Sequence, residues 1–186
     1  YFFRGTDVLF SFELLDAWRV KDIIFYVFLG VATGIASVYF SKMYFLITRF
    51  FGWFSNAYVK IGIAALAIGL MLYLFPPLYG EGYGLINNLL NGNTEAALSG
   101  IQYQIDFNNI WMVIVILLII AVFKAIAMTT TFAAGGVGGI FIPTLFMGSA
   151  LGNAVAKAIN QFGFEVSEAN FTLIGMTGLM AGVLHA

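Results

Sequence analysis

Long apolar stretches separated by short polar ones are the main pattern along the chain. Residues 23–41 carry no charge and the apolar pattern continues to residue 51, which predicts one long or tilted helix. A second charge-free stretch covers residues 61–75. A third apolar stretch covers residues 110–131, and Lys124 is its only charged residue. A helix that crosses a membrane needs about 20 largely apolar residues. The pattern therefore predicts several membrane-spanning helices.

Shorter segments add detail to this helical pattern. Residues 141–160 form another apolar stretch, and a final one begins at Phe171. The segment "LINNLLNG", residues 85–92, is too short and too polar to span a membrane, so it predicts a re-entrant or interfacial half-helix backed by protein. Residues 1–22 suit a helix tail followed by an interfacial turn, and residues 93–109 read as a polar connection. No segment alternates polar and apolar residues as barrel strands do. The predicted fold is an all-α integral membrane bundle of tilted and broken helices.

Composition agrees with a protein that is solvated largely by lipid. The chain is 61% hydrophobic and 9% charged, whereas a soluble domain carries about 25% charged residues. The net charge of −1 argues against a nucleic-acid partner. With no cysteine, one histidine and few carboxylates, neither a metal site nor another cofactor is expected. We expect a multi-pass protein with the lipid bilayer as partner, and the compact loops favour a prokaryotic inner membrane.

The glycine-rich stretch "GGVGGIFIP", residues 135–143, interrupts this apolar sequence. Pro143 fits the first turn of a helix, where its missing N–H is no loss. The amides of about Gly138 to Phe141 would then lie at a helix N-terminus as unpaired donors with the positive end of the helix dipole. Such a terminus binds anions without a basic side chain, a device that transporters use repeatedly.

A second interpretation of these glycines is helix packing. Gly135 and Gly139 are separated by three residues, which is the small-xxx-small spacing that lets membrane helices approach closely. From the residues alone, an anion site and a packing surface both remain open. A purely structural helix-packing module is accordingly one alternative function.

"GGIFIP" resembles the G-x-F-x-P element of the CLC family of chloride channels and chloride/proton antiporters. The flanking strings "TTTFAAGGVGGIFIPTLFMGSALG", "FTLIGMTGLMAGVLHA" and "FPPLYGEGYGLINNLL" resemble the same family in the same order. The resemblance covers essentially residues 1–186 and implies the second half of a CLC membrane domain, that is, half of an inverted repeat. The chain starts without methionine and stops after an apolar run, so we expect one partial domain truncated at both ends.

The resemblance implies chloride transport, with the anion held near the membrane midplane by backbone amides at helix N-termini. Mapped onto this sequence, the amides of Ile140 and Phe141 would coordinate chloride, Gly138 and Gly139 would allow close approach, and Pro143 would start the helix. The family is homodimeric, with one pathway in each subunit. Its coordinating serine, late tyrosine and two functional glutamates have no counterpart in this chain, so channel and antiporter both remain open.

The functional roles of Lys124, of Glu81, and of the pair Ser149 and His185 each have competing interpretations. Lys124 lies within a predicted span, where it would support a neighbouring helix terminus, reach an interface or contribute to the pathway. Glu81 in "LYGEGYG" is expected to be a turn residue rather than a proton carrier. An intramembrane serine protease would need Ser149 and His185 within hydrogen-bond reach. The string "MGSALG" lacks the context of such enzymes, so we expect that the protein is not an enzyme.

Overall fold

The computed structural model describes residues 19–185, which fold into helices and turns without a β-strand. Two short 3-10 turns, Val20–Asp22 and Pro76–Leu78, precede the first helix and follow the second. The seven α-helices of this described part are α1 (Ile23–Gly52), α2 (Ala57–Leu74), α3 (Tyr83–Leu90), α4 (Thr94–Ala97), α5 (Ile110–Ala133), α6 (Phe141–Gln161) and α7 (Glu168–Leu184). The all-helical prediction is confirmed.

Three of these helical segments are long and apolar enough to cross a membrane: Val20–Gly52, Ala57–Leu74 and Ile110–Ala133. The helices α1 and α5 have nearly the bounds that the charge-free stretches predict, because a continuous apolar sequence has few local signals that could end a helix earlier. The predicted helix tail before residue 19 lies outside the described residues.

Local caps explain where the predicted bounds are wrong. The helix α2 begins at Ala57, earlier than predicted, because the side chain of Asn56 accepts a hydrogen bond from the Tyr58 amide. The helix α7 begins at Glu168 rather than Phe171, because the Ser167 side chain accepts from the Asn170 amide. The connection at residues 93–109 is not wholly irregular, since Asn93 caps the single-turn helix α4.

The predicted short half-helix is α3. It follows α2 after the turn at Pro76–Leu78, and it packs Leu85, Ile86 and Leu89 into the main hydrophobic core. The same core includes Leu117 of α5 and Phe146 of α6, both fully buried. The half-helix α3, which is too short to span a membrane alone, is thus held in place by the longer helices.

Glycines join α6 and α7 by direct backbone contact. A methyl group added at Gly152 would lie 2.9 Å from the Phe171 carbonyl carbon and still closer to its oxygen. A methyl group at Gly148 would lie 2.7 Å from the Met176 Cα, and one at Gly175 would strike the Gly148 carbonyl oxygen. Gly148 and Gly152 have the spacing that allows helices in membranes to approach closely. Close helix packing is therefore real in this fold, but it lies one turn or more inside α6.

Candidate functional site

The candidate site lies where α6 begins. Ile140 precedes the helix with φ −77° and ψ −28°, and no side chain caps it. The Thr144 amide donates to the Ile140 carbonyl over 3.1 Å, and the Thr144 hydroxyl donates to the Phe141 carbonyl over 2.7 Å. The helix starts at Phe141, and Pro143 lies in its first turn, as the sequence predicts. Pro143 is the third helical residue, a position whose N–H has no helical acceptor and whose loss costs no hydrogen bond.

The backbone donors at this helix start are unpaired. Within the described chain, the amides from Gly138 to Ile142 donate to no acceptor. Ile140 is 39% exposed and Phe141 is 50% exposed, so the core does not enclose this segment. Unpaired donors at the positive end of a 21-residue helix form a site that suits an anion.

The glycines before α6 shape a turn rather than a helix contact. Gly135 has φ +95°, in the left-handed region, where it ends α5. A methyl group at Gly136 would lie 2.7 Å from the Thr131 side chain, which holds the turn tightly against the end of α5. Among the described residues, nothing lies within 4 Å of a methyl group placed at Gly135 or Gly139. The packing interpretation of this glycine pair therefore has no partner helix in the described part of the fold.

A cavity of about 500 Å³ opens beside the start of α6. Its walls come from four parts of the chain: the second half of α2, the turn between α2 and α3, the second half of α5, and the segment that starts α6. Glu81, Lys124, Gly138, Gly139, Phe141 and Pro143 all line it. The fold thus brings Glu81 and Pro143 to one cavity, although 62 positions separate them in the sequence (143 − 81). Ile140 is not among the lining residues.

Lys124 is buried, with 5% of its surface exposed. Its ammonium group donates to the Leu78 carbonyl over 3.0 Å and to the Gly80 carbonyl over 2.8 Å. It also lies 4.5 Å from the centre of the Phe146 ring. These contacts tie α5 to the turn between α2 and α3, which is the supporting arrangement among the three interpretations of Lys124. Glu81 is exposed in the same turn and forms no ion pair with a described residue.

Phe146 and Gly82 are parts of this arrangement that sequence reasoning missed. Gly82 has φ +86° and precedes α3, and a methyl group there would overlap the Phe146 ring. Phe146 therefore contacts both Lys124 and the start of α3 from its position on α6. The available signal was the glycine pair around Glu81, since a helix start that needs a left-handed residue favours glycine.

Replacing Lys124 with methionine should lower the free energy of unfolding by about 2 kcal/mol, because the Leu78 and Gly80 carbonyls lose their donor. Thermal unfolding of the purified protein in detergent would measure this. Lys42→Met is the matched control, since Lys42 is exposed and has no hydrogen bond or ion pair within the described chain. Equal midpoints for the two variants would contradict the supporting role.

Ser149 and His185 are not arranged as a nucleophile and its base. The buried Ser149 hydroxyl donates to the Phe146 carbonyl over 2.7 Å, within its own helix. The exposed His185 ring lies 2.8 Å from the Ala181 carbonyl. Neither side chain is hydrogen-bonded to the other, so the geometry offers no support for the protease alternative. Among residues 19–185, no group of three or more metal-ligating side chains clusters together.

In the described residues, the fold and the site define an all-helical membrane protein in which the turn before α3 and the uncapped start of α6 meet at one cavity. Sequence comparison assigns the chain to a family. The sequence model of the voltage-gated chloride channel family matches residues 1–186, so the chain belongs to this family of integral membrane proteins. The CLC resemblance of the glycine-rich element is thereby confirmed at the level of the family.

Relatives with known names come from bacteria and from a plant. A putative chloride channel protein, ClcB-like, of Ralstonia nicotianae is 25% identical over 94% of this chain and 37% of its own length. The H(+)/Cl(−) exchange transporter ClcA of Yersinia pestis is 27% identical over 100% of this chain and 36% of its own length. Chloride channel protein CLC-f of Arabidopsis thaliana is 24% identical over 96% of this chain and 23% of its own length. The chain thus spans between 23% and 37% of the length of these relatives.

Proposed function

We propose that the protein containing this chain transports chloride across a membrane, and that the start of α6 forms one wall of the anion pathway. The observation that supports this is the run of unpaired amides from Gly138 to Ile142, beside a cavity of about 500 Å³. Chloride accepts hydrogen bonds from such amides, and binding an anion at a helix N-terminus needs no basic side chain.

In this proposal the amides of Ile140 and Phe141 donate to the anion. The two residues follow Gly138 and Gly139, where no side chain blocks the approach of an ion. The Phe141 ring, half exposed, lines the cavity beside the donors. Lys124 acts in this proposal as a support, because two of its three N–H donors go to the Leu78 and Gly80 carbonyls and hold the turn that forms another wall of the cavity.

The remaining parts of the proposal rest on the CLC resemblance and, for the kind of membrane, on the compact loops of the sequence. We expect an intact protein that is a homodimer in a prokaryotic inner membrane, with no cofactor and no enzymatic activity. Other segments of the whole protein would complete the anion site, since this chain spans about 36% of the exchanger from Yersinia pestis. The names of the relatives include both channels and a proton-coupled exchanger.

The intact protein, reconstituted into liposomes, is expected to dissipate a chloride gradient faster than protein-free liposomes. A chloride-selective electrode measures the release. Chloride efflux equal to that of the protein-free liposomes would refute the proposal. A proton gradient across the same liposomes separates the two mechanisms: an exchanger drives protons uphill as chloride moves, whereas a channel does not.

A further inference from the structure

A second cavity, of about 440 Å³, lies away from the candidate anion site. Three helices line it: α1 near its C-terminal end, the middle of α2, and α5 near Thr130. We call this cavity the α1–α2 groove, and its lining includes Arg49, Trp53, Ala67, Met71, Ile126 and Thr130. Apart from Arg49 and Thr130, these side chains are apolar or aromatic.

The charge around the groove has one sign. Residues 23–80 contain Lys42, Arg49 and Lys60 and not a single aspartate or glutamate. Arg49 is exposed at the groove and makes no ion pair or hydrogen bond within residues 19–185. Lys60 lies in the first turns of α2, just after the four-residue connection from α1. An anionic group from outside this segment would complement these cations.

Thr130 offers a hydroxyl donor on the wall of the groove. It is 4% exposed and lines the groove, and its hydroxyl makes no hydrogen bond with any described residue. The hydroxyls of its neighbours differ, since Thr129 donates to the Ala125 carbonyl over 2.7 Å and Thr131 to the Ala127 carbonyl over 2.9 Å. The Thr130 hydroxyl is therefore free to donate to a ligand that carries an acceptor.

Aromatic rings mark the end of the groove that carries Arg49. The Phe50 ring lies 6.0 Å from the Trp53 ring and 5.4 Å from the Phe54 ring, centre to centre. Trp53 is 75% exposed. Tryptophan and basic side chains gather at the level of lipid headgroups, so this end of the groove suits the membrane interface. The apolar walls at Ala67, Met71 and Ile126 extend from it.

We propose that the α1–α2 groove binds an anionic phospholipid. The lipid phosphate pairs with Arg49, an ester oxygen accepts from Thr130, and an acyl chain fills the apolar part of the groove. Basic pockets between membrane helices bind anionic headgroups in this way. The absence of acidic residues over positions 23–80 favours an anionic lipid over a zwitterionic one, because no carboxylate of this segment would pair with a choline group.

Fluorescence quenching of Trp53 by brominated lipids tests the proposal, because Trp53 lines the groove. The full-length protein is prepared with its other tryptophans replaced by phenylalanine and placed in vesicles of phosphatidylcholine. Brominated phosphatidylglycerol and brominated phosphatidylcholine are then compared at equal mole fraction. One basic contact near the surface should give an apparent affinity about fivefold higher for phosphatidylglycerol.

Two variants and one control decide the result. Arg49→Gln should abolish the preference for phosphatidylglycerol, and Ala67→Phe should reduce it by filling the groove. Lys42→Gln removes a cation from the same helix but not from the groove, and should retain the preference. Equal quenching by both lipids in the unmodified sequence, as expected if another protein segment covers the groove, would overturn the proposal. So would a preference that survives in Arg49→Gln and Ala67→Phe together.

Discussion

Gly152→Ala is expected to lower the free energy of unfolding by about 3 kcal/mol, the largest effect on stability of any change considered. The added methyl group would lie 2.9 Å from the Phe171 carbonyl carbon, 3.1 Å from the Thr172 Cα and closer still to the Phe171 oxygen. These are backbone atoms, so relief requires α6 and α7 to separate rather than a side chain to rotate. Overpacking of this kind costs roughly 1–3 kcal/mol and sometimes more.

The matched control for Gly152→Ala is Gly34→Ala, in the interior of α1. No atom lies within 4 Å of a methyl group placed at Gly34. Because alanine favours a helix over glycine by about 1 kcal/mol, this control should leave stability unchanged or raise it. Thermal unfolding in detergent, followed by circular dichroism, compares the two proteins. A Gly152→Ala protein as stable as the control would show that α6 and α7 are not in backbone contact.

Ile140→Pro is expected to weaken chloride binding by about ten- to a hundredfold. The φ of −77° at Ile140 lies within the range of proline, so the substitution removes an N–H with little change in the backbone. The preceding residue is Gly139, whose missing side chain reduces the usual restriction before proline. Loss of one hydrogen bond to a charged group costs about 1.5–3 kcal/mol, which corresponds to that change in affinity.

Calorimetric titration of the intact protein with chloride measures this effect. Ile140→Val is the control, because it shortens the side chain and keeps the amide. A similar loss of affinity in both variants would indicate that the side chain matters, and it would contradict coordination by the backbone. Unchanged affinity in Ile140→Pro would remove this amide from the proposed site.

The helices could be predicted well because their signal is local. A run of apolar residues without charge, such as residues 110–131, needs no tertiary information to be recognised as a span, and α5 covers Ile110–Ala133. The caps at Asn56 and Ser167 were missed, so α2 and α7 begin earlier than predicted, although both residue types are common before a helix. The single turn α4 was missed, because a four-residue helix has too few positions to show a period.

The glycines show where sequence reasoning reached its limit. Gly135 and Gly139 have the same spacing as Gly148 and Gly152, so the pattern alone cannot say which pair touches another helix. Backbone contact occurs at Gly148 and Gly152, because α7 presents Gly175 opposite them. The choice depends on a helix that starts 20 residues after Gly148 (168 − 148), which no local pattern encodes.

The sequence by itself determined the membrane solvent, the long helices, the chloride channel family and the position of the helix start that carries the candidate amides. Each of these follows from composition, from local periodicity or from a contiguous motif. Tertiary structure decided that Lys124 holds the Leu78 and Gly80 carbonyls and that one cavity joins Glu81 to the start of α6. It also decided that Arg49 and Thr130 share a groove. These relationships join residues far apart in the chain, and such contacts form only when whole helices pack.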